Sequence, residues 1–432
     1  MYAWVLQFTS YLKLSPLFRI MKTKYFLLTS LLLLSACASE QVKSAKQPHE
    51  HHQAQTQHQE KSLECTTPST HCSDTVTAEF SPNGVLWAAW VANEHLYLQS
   101  SNDKGQTFSK PIMVNAKPEK IIGKGENRPK IKFDNKGHIY LSWALSTGKH
   151  HVGHIRFSHS MDGGKTFVKP VTINDDGKEI GHSFDSMVIG QQGEVFIAWL
   201  DSRDTAAAKA AGKVFDGSSV YYTVSKDGGK TFAKNQSLAA HVCQCCRLQT
   251  ALAKDNTPVV MWRHIFEGSI RDHALIKFND WQTPAEMHRV GEENWKIDAC
   301  PHHGPGLAIA DDIYHAVWFS NSDTKKGLFY ANSQDNGQHF SAPVSFGGDG
   351  ASHAHVQAIG QNVAIVWLEF DGKNNRVQLI KSKDAGKTWS KAETIATTSD
   401  KADNPFLIND DSMMYLSWQV PSQDYHLQRI DF

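Results

Sequence analysis

The sequence predicts an all-β fold, a single seven-bladed β-propeller over residues 65–432. Three observations predict it. Seven apolar, strand-like segments end in tryptophan, at Trp90, Trp143, Trp199, Trp262, Trp318, Trp367 and Trp418, in steps of 53, 56, 63, 56, 49 and 51 residues. Each step is the length of one four-stranded blade with its loops, and a period this long marks a propeller or array. A turn of fixed spacing recurs five times between these strands. The composition, with 29 Gly, 12 Trp and 21 Phe in 432 residues, suits short strands joined by tight turns. Lys+Arg and Asp+Glu are 44 each, which argues against a nucleic-acid partner, since such surfaces need excess cationic residues. At 40% hydrophobic and 20% charged, the chain can build a substantial core.

Residues 1–36 read as a signal peptide whose real start is Met21. Lys22 and Lys24 precede an apolar run at 25–34, followed by Leu34-Ser35-Ala36-Cys37. A basic start, an apolar run of about ten residues and small residues before a cut are what secretion requires, and the run falls short of the ~20 residues of a spanning helix. The ending resembles a bacterial lipobox. That resemblance implies a lipidated Cys37 as first residue of the mature chain, a membrane partner through the lipid, and, with Ala38 rather than Asp next, an outer-membrane lipoprotein of the cell envelope facing the periplasm or the cell surface. Ordinary cleavage leaving a Cys37 thiol is the alternative.

Residues 37–64 carry almost no large apolar side chain and read as a disordered tether. Its His49, His51, His52 and His58 form a short tract of a kind that captures transition metals, or are simply part of a polar spacer. Beyond Cys37 the cysteines are Cys65, Cys72, Cys243, Cys245, Cys246 and Cys300. An even count in an oxidising compartment makes disulfides the default, with 15 possible pairings. Cys65 with Cys72, and Cys245 or Cys246 with Cys300, are the simplest. The last unit shows only three strands, at 406–408, 414–418 and 425–430, so a strand from residues 60–75 is expected to complete it and close the ring.

The recurring turn is Ser-Asn-Asp-Lys-Gly-Gln-Thr-Phe at 101–108. It returns at 160–167, at 225–232, at 333–340 with His339 for Thr, and at 382–389 with Trp389 for Phe; a worn copy stands at 278–281. Asp accepts backbone N–H bonds, Gly takes the positive φ and the aromatic packs the turn on its sheet. These are Asp-boxes, and the chain from residue 73 onward resembles the sialidase superfamily of Asp-box, or BNR-repeat, propellers. The resemblance implies that the boxes join the third and fourth strands of each blade, away from the ligand face. It also offers six blades as the alternative count. For activity it implies three arginines clamping a carboxylate, an acid Asp, and a Tyr activated by Glu. Arg128, Arg203, Arg247 and Arg263 fall on the appropriate face with Asp201. The first unit, 76–90, contains no arginine, however, and Tyr425 is a poor nucleophile candidate, so the catalytic set is incomplete.

The same face gathers an unusual set of nitrogen and sulfur ligands. Cys243-x-Cys245-Cys246 opens blade four, Cys300-Pro301-His302-His303 opens blade five, and His353 and His355 open blade six, with His182 and His264 placed to face them. Imidazole and thiolate suit copper or zinc better than magnesium or calcium. The sequence therefore supports a monomeric lipoprotein that binds a transition metal, a small ligand or a glycan at a His/Cys-rich rim. The metal ligands expected are His302, His303, His353, His355 and His182. A sialidase-like glycosidase and a non-catalytic interaction scaffold are the alternatives.

Overall fold

The computed structural model describes residues 65–149 and 151–432. The signal segment, Cys37 and the tether histidines lie outside the described residues. Seven antiparallel sheets follow one another along the chain, at 76–113 (blade I), 130–172 (II), 182–242 (III), 249–289 (IV), 306–346 (V), 351–398 (VI) and 406–430 (VII). In every blade neighbouring strands in the chain are neighbours in the sheet, as short turns require. This is the seven-bladed propeller expected. A single α-helix among the described residues, Arg203–Ala210, lies between the second and third strands of blade III.

The core consists of seven apolar clusters, each shared by two adjacent blades. Trp87, Leu98 and Trp143 belong to the seam between I and II, Phe196, Tyr222 and Phe278 to that between III and IV, and Phe80, Ile408 and Tyr415 to that between VII and I. Each blade is therefore hydrophobic on both faces, and its second strand is a continuous apolar run rather than an alternating one. The seven blade tryptophans are 0–2% exposed. Burying an indole calls for a partner for its N–H, and six of the seven donate to one, among them Trp143 to Glu119 (3.1 Å), Trp318 to Glu293 (3.0 Å) and Trp418 to the Asp403 carbonyl (2.7 Å).

Ring closure differs from expectation. Blade VII has three strands, and the N-terminal segment supplies a 3-10 turn, Thr70–Cys72, in place of a fourth. Side chains hold the turn on blade VII. Thr70 donates to Asp424, His71 Nε2 lies 3.0 Å from Asp424, and Gln419 Nε2 donates to the carbonyls of Thr70 (3.0 Å) and Ser73 (3.1 Å). Cys65 and Cys72 are joined by a disulfide that ties the start of this segment to its turn. The apolar seam between blades VII and I then closes the ring without backbone pairing.

The five repeated turns each join the third and fourth strands of a blade and share one hydrogen-bond set. In the first, Ser101 Oγ donates to Asp103 (2.7 Å) and accepts from Gly105 N–H (2.8 Å), while Asp103 accepts from Thr107 N–H (2.8 Å) and its hydroxyl (2.5 Å). His339 Nδ1 takes the place of the hydroxyl at 2.7 Å from Asp335. The cost of a tight turn is thereby met locally, leaving the opposite face for other chemistry.

Candidate functional site

The first strands of the blades line a central channel of about 370 Å³. Its mouth is built by the connections between blades. The connection ahead of blade II carries Glu126, and this carboxylate reaches three blades beyond its own. It accepts from Arg247 ahead of blade IV, from Gly304 N–H (3.0 Å) ahead of blade V, and lies 3.1 Å from His353 Nδ1 in blade VI. Burial by itself raises the Glu126 carboxyl. The Arg247 guanidinium, with His353 and His303, outweighs it and holds the group well below the usual carboxylate range. Two residues on, Arg128 forms a buried two-pronged pair with Asp403 of the connection ahead of blade VII. Burial pushes the Asp403 carboxyl up to about 6 against the pull of Arg128. Lys130 beside them is pulled down to about 8 by desolvation.

The arginines considered for a carboxylate clamp are thus committed within the protein. Arg128 serves Asp403, and Arg247 serves Glu126 and the carbonyls of Pro305 and Ala354 (both 3.1 Å). Arg203 binds Asp201 and Asp175, and Arg263 donates to the carbonyls of Arg271, His303 and Phe319. Arg128 and Arg247 do come together, both over the Phe406 ring at 4.4 and 5.7 Å. Tyr425 donates to Ser417 inside blade VII.

The rim histidines fall in five environments. His303 and His353 are adjacent, with ring centroids 4.7 Å apart, and His303 stacks on Phe319 at 4.2 Å. Burial pulls His303 down to about 3, so it is neutral at ordinary pH. His355 lies in the channel wall, where its Nδ1 accepts from Leu407 N–H (3.2 Å) and burial likewise pulls it down to about 3. His302 is exposed. His264, pulled down to about 4 by burial, takes the Trp262 N–H at 3.4 Å. His182 belongs to a separate cluster in blade III, beside Asp176 and Asp201.

The cysteines are where the expectation of a stapling disulfide meets a different arrangement. Cys243, Cys245, Cys246 and Cys300 are all thiols. Cys243, Cys245 and Cys246 are buried, with Cys243 Sγ 3.7 Å from Cys245 Sγ and 3.4 Å from Cys246 Sγ, and all three sulfurs lie within 4.8 Å of one another. Cys300 packs against the three, and Gln244 Nε2 is 3.8 Å from its sulfur. The Cys245 and Cys246 S–H groups, and then the Arg263 charge, hold the Cys243 thiol far below its usual range. Arg271 Nη1 lies 3.5 Å from the same sulfur. Cys300 is lowered to about 6, chiefly by Cys245. A concave set of thiolate-capable sulfurs backed by two guanidinium groups can hold a soft cation.

Sequence reasoning picked out the cysteines and histidines of this face but missed Glu126 and Asp176. Glu126 immediately precedes the Asn127-Arg128-Pro129 rim segment, and Asp176 stands in an ordinary-looking Asn-Asp-Asp-Gly turn; neither carries a periodic signal.

No family model and no curated protein matches the chain. Solved structures do. A polysaccharide lyase described as an ulvan lyase is similar over 83% of this chain and 94% of its own, at 12% identity and a TM-score of 0.51. A Hadza microbial sialidase is similar over 79% and 74%, at 13% identity and 0.49. An α-L-arabinanase of Penicillium chrysogenum is similar over 70% and 92%, at 12% identity and 0.45. At 12% identity what the chain shares with the lyase is the fold alone.

Proposed function

We propose that the protein binds a soft or borderline transition metal, Zn(II) or Cu(I), on Cys243, Cys245 and Cys246, with Cys300 packed beside them. The sulfur spacing carries this reading. A tetrahedral zinc site with Zn–S of ~2.3 Å places its ligands ~3.8 Å apart. The observed 3.7 and 3.4 Å are close to that edge and far from the ~2.05 Å of a disulfide. Arg271 and Arg263 supply positive charge against the excess that several thiolates would carry. This reading assigns the metal to the cysteines rather than to His302, His303, His353 and His355.

The test uses full-length protein purified under reducing conditions, loaded with Zn(II) or Cu(I) and competed with a chelator. One sulfur-bound equivalent per chain is expected. The double change Cys243→Ser with Cys246→Ser should weaken binding by more than the ~100-fold that losing an outer partner costs. His302→Ala with His303→Ala should change it far less. Unaltered affinity in the cysteine variant, or native protein whose mass shows these cysteines paired as disulfides, would overturn the reading.

The site would work at the cell envelope. Leu34-Ser35-Ala36-Cys37 supports a lipid anchor, and the tether histidines His49, His51 and His52 would offer a weaker capture site between membrane and propeller. Cys37→Ser should move the protein from the membrane to the soluble fraction; a variant that fractionates with membranes like the wild type refutes the anchor.

A further inference from the structure

A second cluster lies in blade III. His182 opens the first strand of the blade and is 0% exposed. Its Nδ1 is 2.8 Å from the Gly153 carbonyl, which accepts only, so Nδ1 carries a proton. Its Nε2 lies 3.2 Å from Asp176 Oδ1 and 3.6 Å from Asp201 Oδ2, yet makes no hydrogen bond. Asp176 Oδ2 is also buried without a partner. Two orphaned polar atoms in one pocket are costly unless something satisfies both.

Charge points the same way. Arg203 is shared between Asp201 and Asp175. Asp176 faces His182 and the Asn174 amide (3.2 Å), with the Lys178 backbone N–H and the more distant Arg203 charge also favouring its carboxylate. Asp201 Oδ2, the oxygen that faces His182, accepts from Trp199 Nε1 (2.8 Å) and Arg203 Nη2 (2.8 Å), and its Oδ1 accepts from Arg203 Nε (3.1 Å), so this carboxylate is held in place.

A proton on Nε2 would leave Asp176 Oδ2 without a partner, whereas a cation bound through both oxygens of Asp176 would reach it. It would also be expected to draw a carboxylate to the ~2.7–2.9 Å of a charge-assisted bond. A tetrahedral cation with ligands at ~2.0–2.2 Å instead sets its ligand atoms ~3.3–3.6 Å apart, and the observed 3.2 and 3.6 Å lie close to that edge. We infer that Asp176, His182 and Asp201 form a second, nitrogen-and-oxygen site for a divalent transition cation of the zinc class, independent of the thiolate cluster.

Co(II) distinguishes the two sites in the full-length protein, since only the cysteine site gives sulfur-to-cobalt charge transfer. Two tight equivalents are expected, one with and one without that band, apart from the weaker uptake by the tether histidines. Asp176→Asn keeps the shape of the side chain and should remove the second equivalent, leaving the sulfur band intact. Nitrogen-15 NMR of the wild type should show His182 Nε2 unprotonated and shifted on adding Zn(II). An Asp176→Asn protein that still takes up the sulfur-free equivalent overturns the inference. So does an Nε2 that is protonated at neutral pH and indifferent to zinc. Loss of the sulfur band alone would count against the thiolate reading and leave this one standing.

Discussion

Replacing Glu126 by alanine should lower the folding stability by about 3–5 kcal/mol, the cost of leaving a buried guanidinium without its counter-charge. Arg247 and Glu126 are 6% and 8% exposed, and Arg247 has no other carboxylate among its hydrogen-bond partners. The loss is not confined to one pair, because the same carboxylate also holds Gly304 N–H and faces His353. Its removal would unlatch the connection ahead of blade II from blades IV, V and VI. Acid should reproduce part of the effect. Glu126 titrates lower in the folded chain than in the unfolded one, so its contribution is fully present above about 4.5 and is lost as pH falls through the folded value. The stability gap between wild type and Glu126→Gln should therefore narrow as pH drops below about 4.5. Urea unfolding at neutral and acidic pH measures both. A gap below ~1 kcal/mol at neutral pH would mean that Glu126 is not the latch.

The periodic part of this molecule was legible in the sequence. Seven tryptophans ending seven strands marked the blades, because every second strand is buried on both sides and needs a large apolar residue at its end. The repeated Ser, Asp, Gly and Thr positions marked the turns, because each turn satisfies its own backbone. The non-periodic parts were not. Glu126 finds Arg247 after 121 residues and Arg128 finds Asp403 after 275, and no local pattern announces such pairs. The closing strand was expected from a strand count, whereas side chains of Thr70, His71 and Gln419 do the closing.

The histidines show a subtler limit. His353 and His355 are two apart in one strand and would share a face if it were regular. The register breaks between Ser352 and His355, and His353 takes φ +52°. One ring therefore turns to Glu126 and the other faces the channel. For the cysteines, spacing could nominate the cluster but could not choose between sulfur–sulfur bonds and free sulfurs 3.4 and 3.7 Å apart. That choice depends on distances between two loops.

Gly386→Ala should be among the most damaging single changes on the opposite face, by about 3 kcal/mol or more. The glycine of each repeated turn leans on a side chain of the preceding blade. Gly164 meets Trp87, Gly229 meets Phe157, Gly337 meets Leu275 and Gly386 meets Tyr330. At Gly386 a β-carbon would overlap the Tyr330 hydroxyl and lie 2.6 Å from the ring carbon that bears it. Tyr330 has nowhere to go: it is 2% exposed, its hydroxyl is 2.8 Å from His315 Nδ1, and its ring packs edge-on against Trp389 at 4.8 Å. The backbone adds its own penalty, since φ is +82° and a left-handed residue with a β-carbon costs ~1–2 kcal/mol. Overpacking a filled core adds ~1–3 kcal/mol. Gly163→Ala separates the two terms, because Gly163 has φ +70° in an equivalent turn and nothing within 4 Å of where a β-carbon would stand. It should lose only the backbone part. If thermal or urea unfolding shows the two variants equally destabilised, the turns do not lock neighbouring blades together, and the damage at Gly386 is local strain alone.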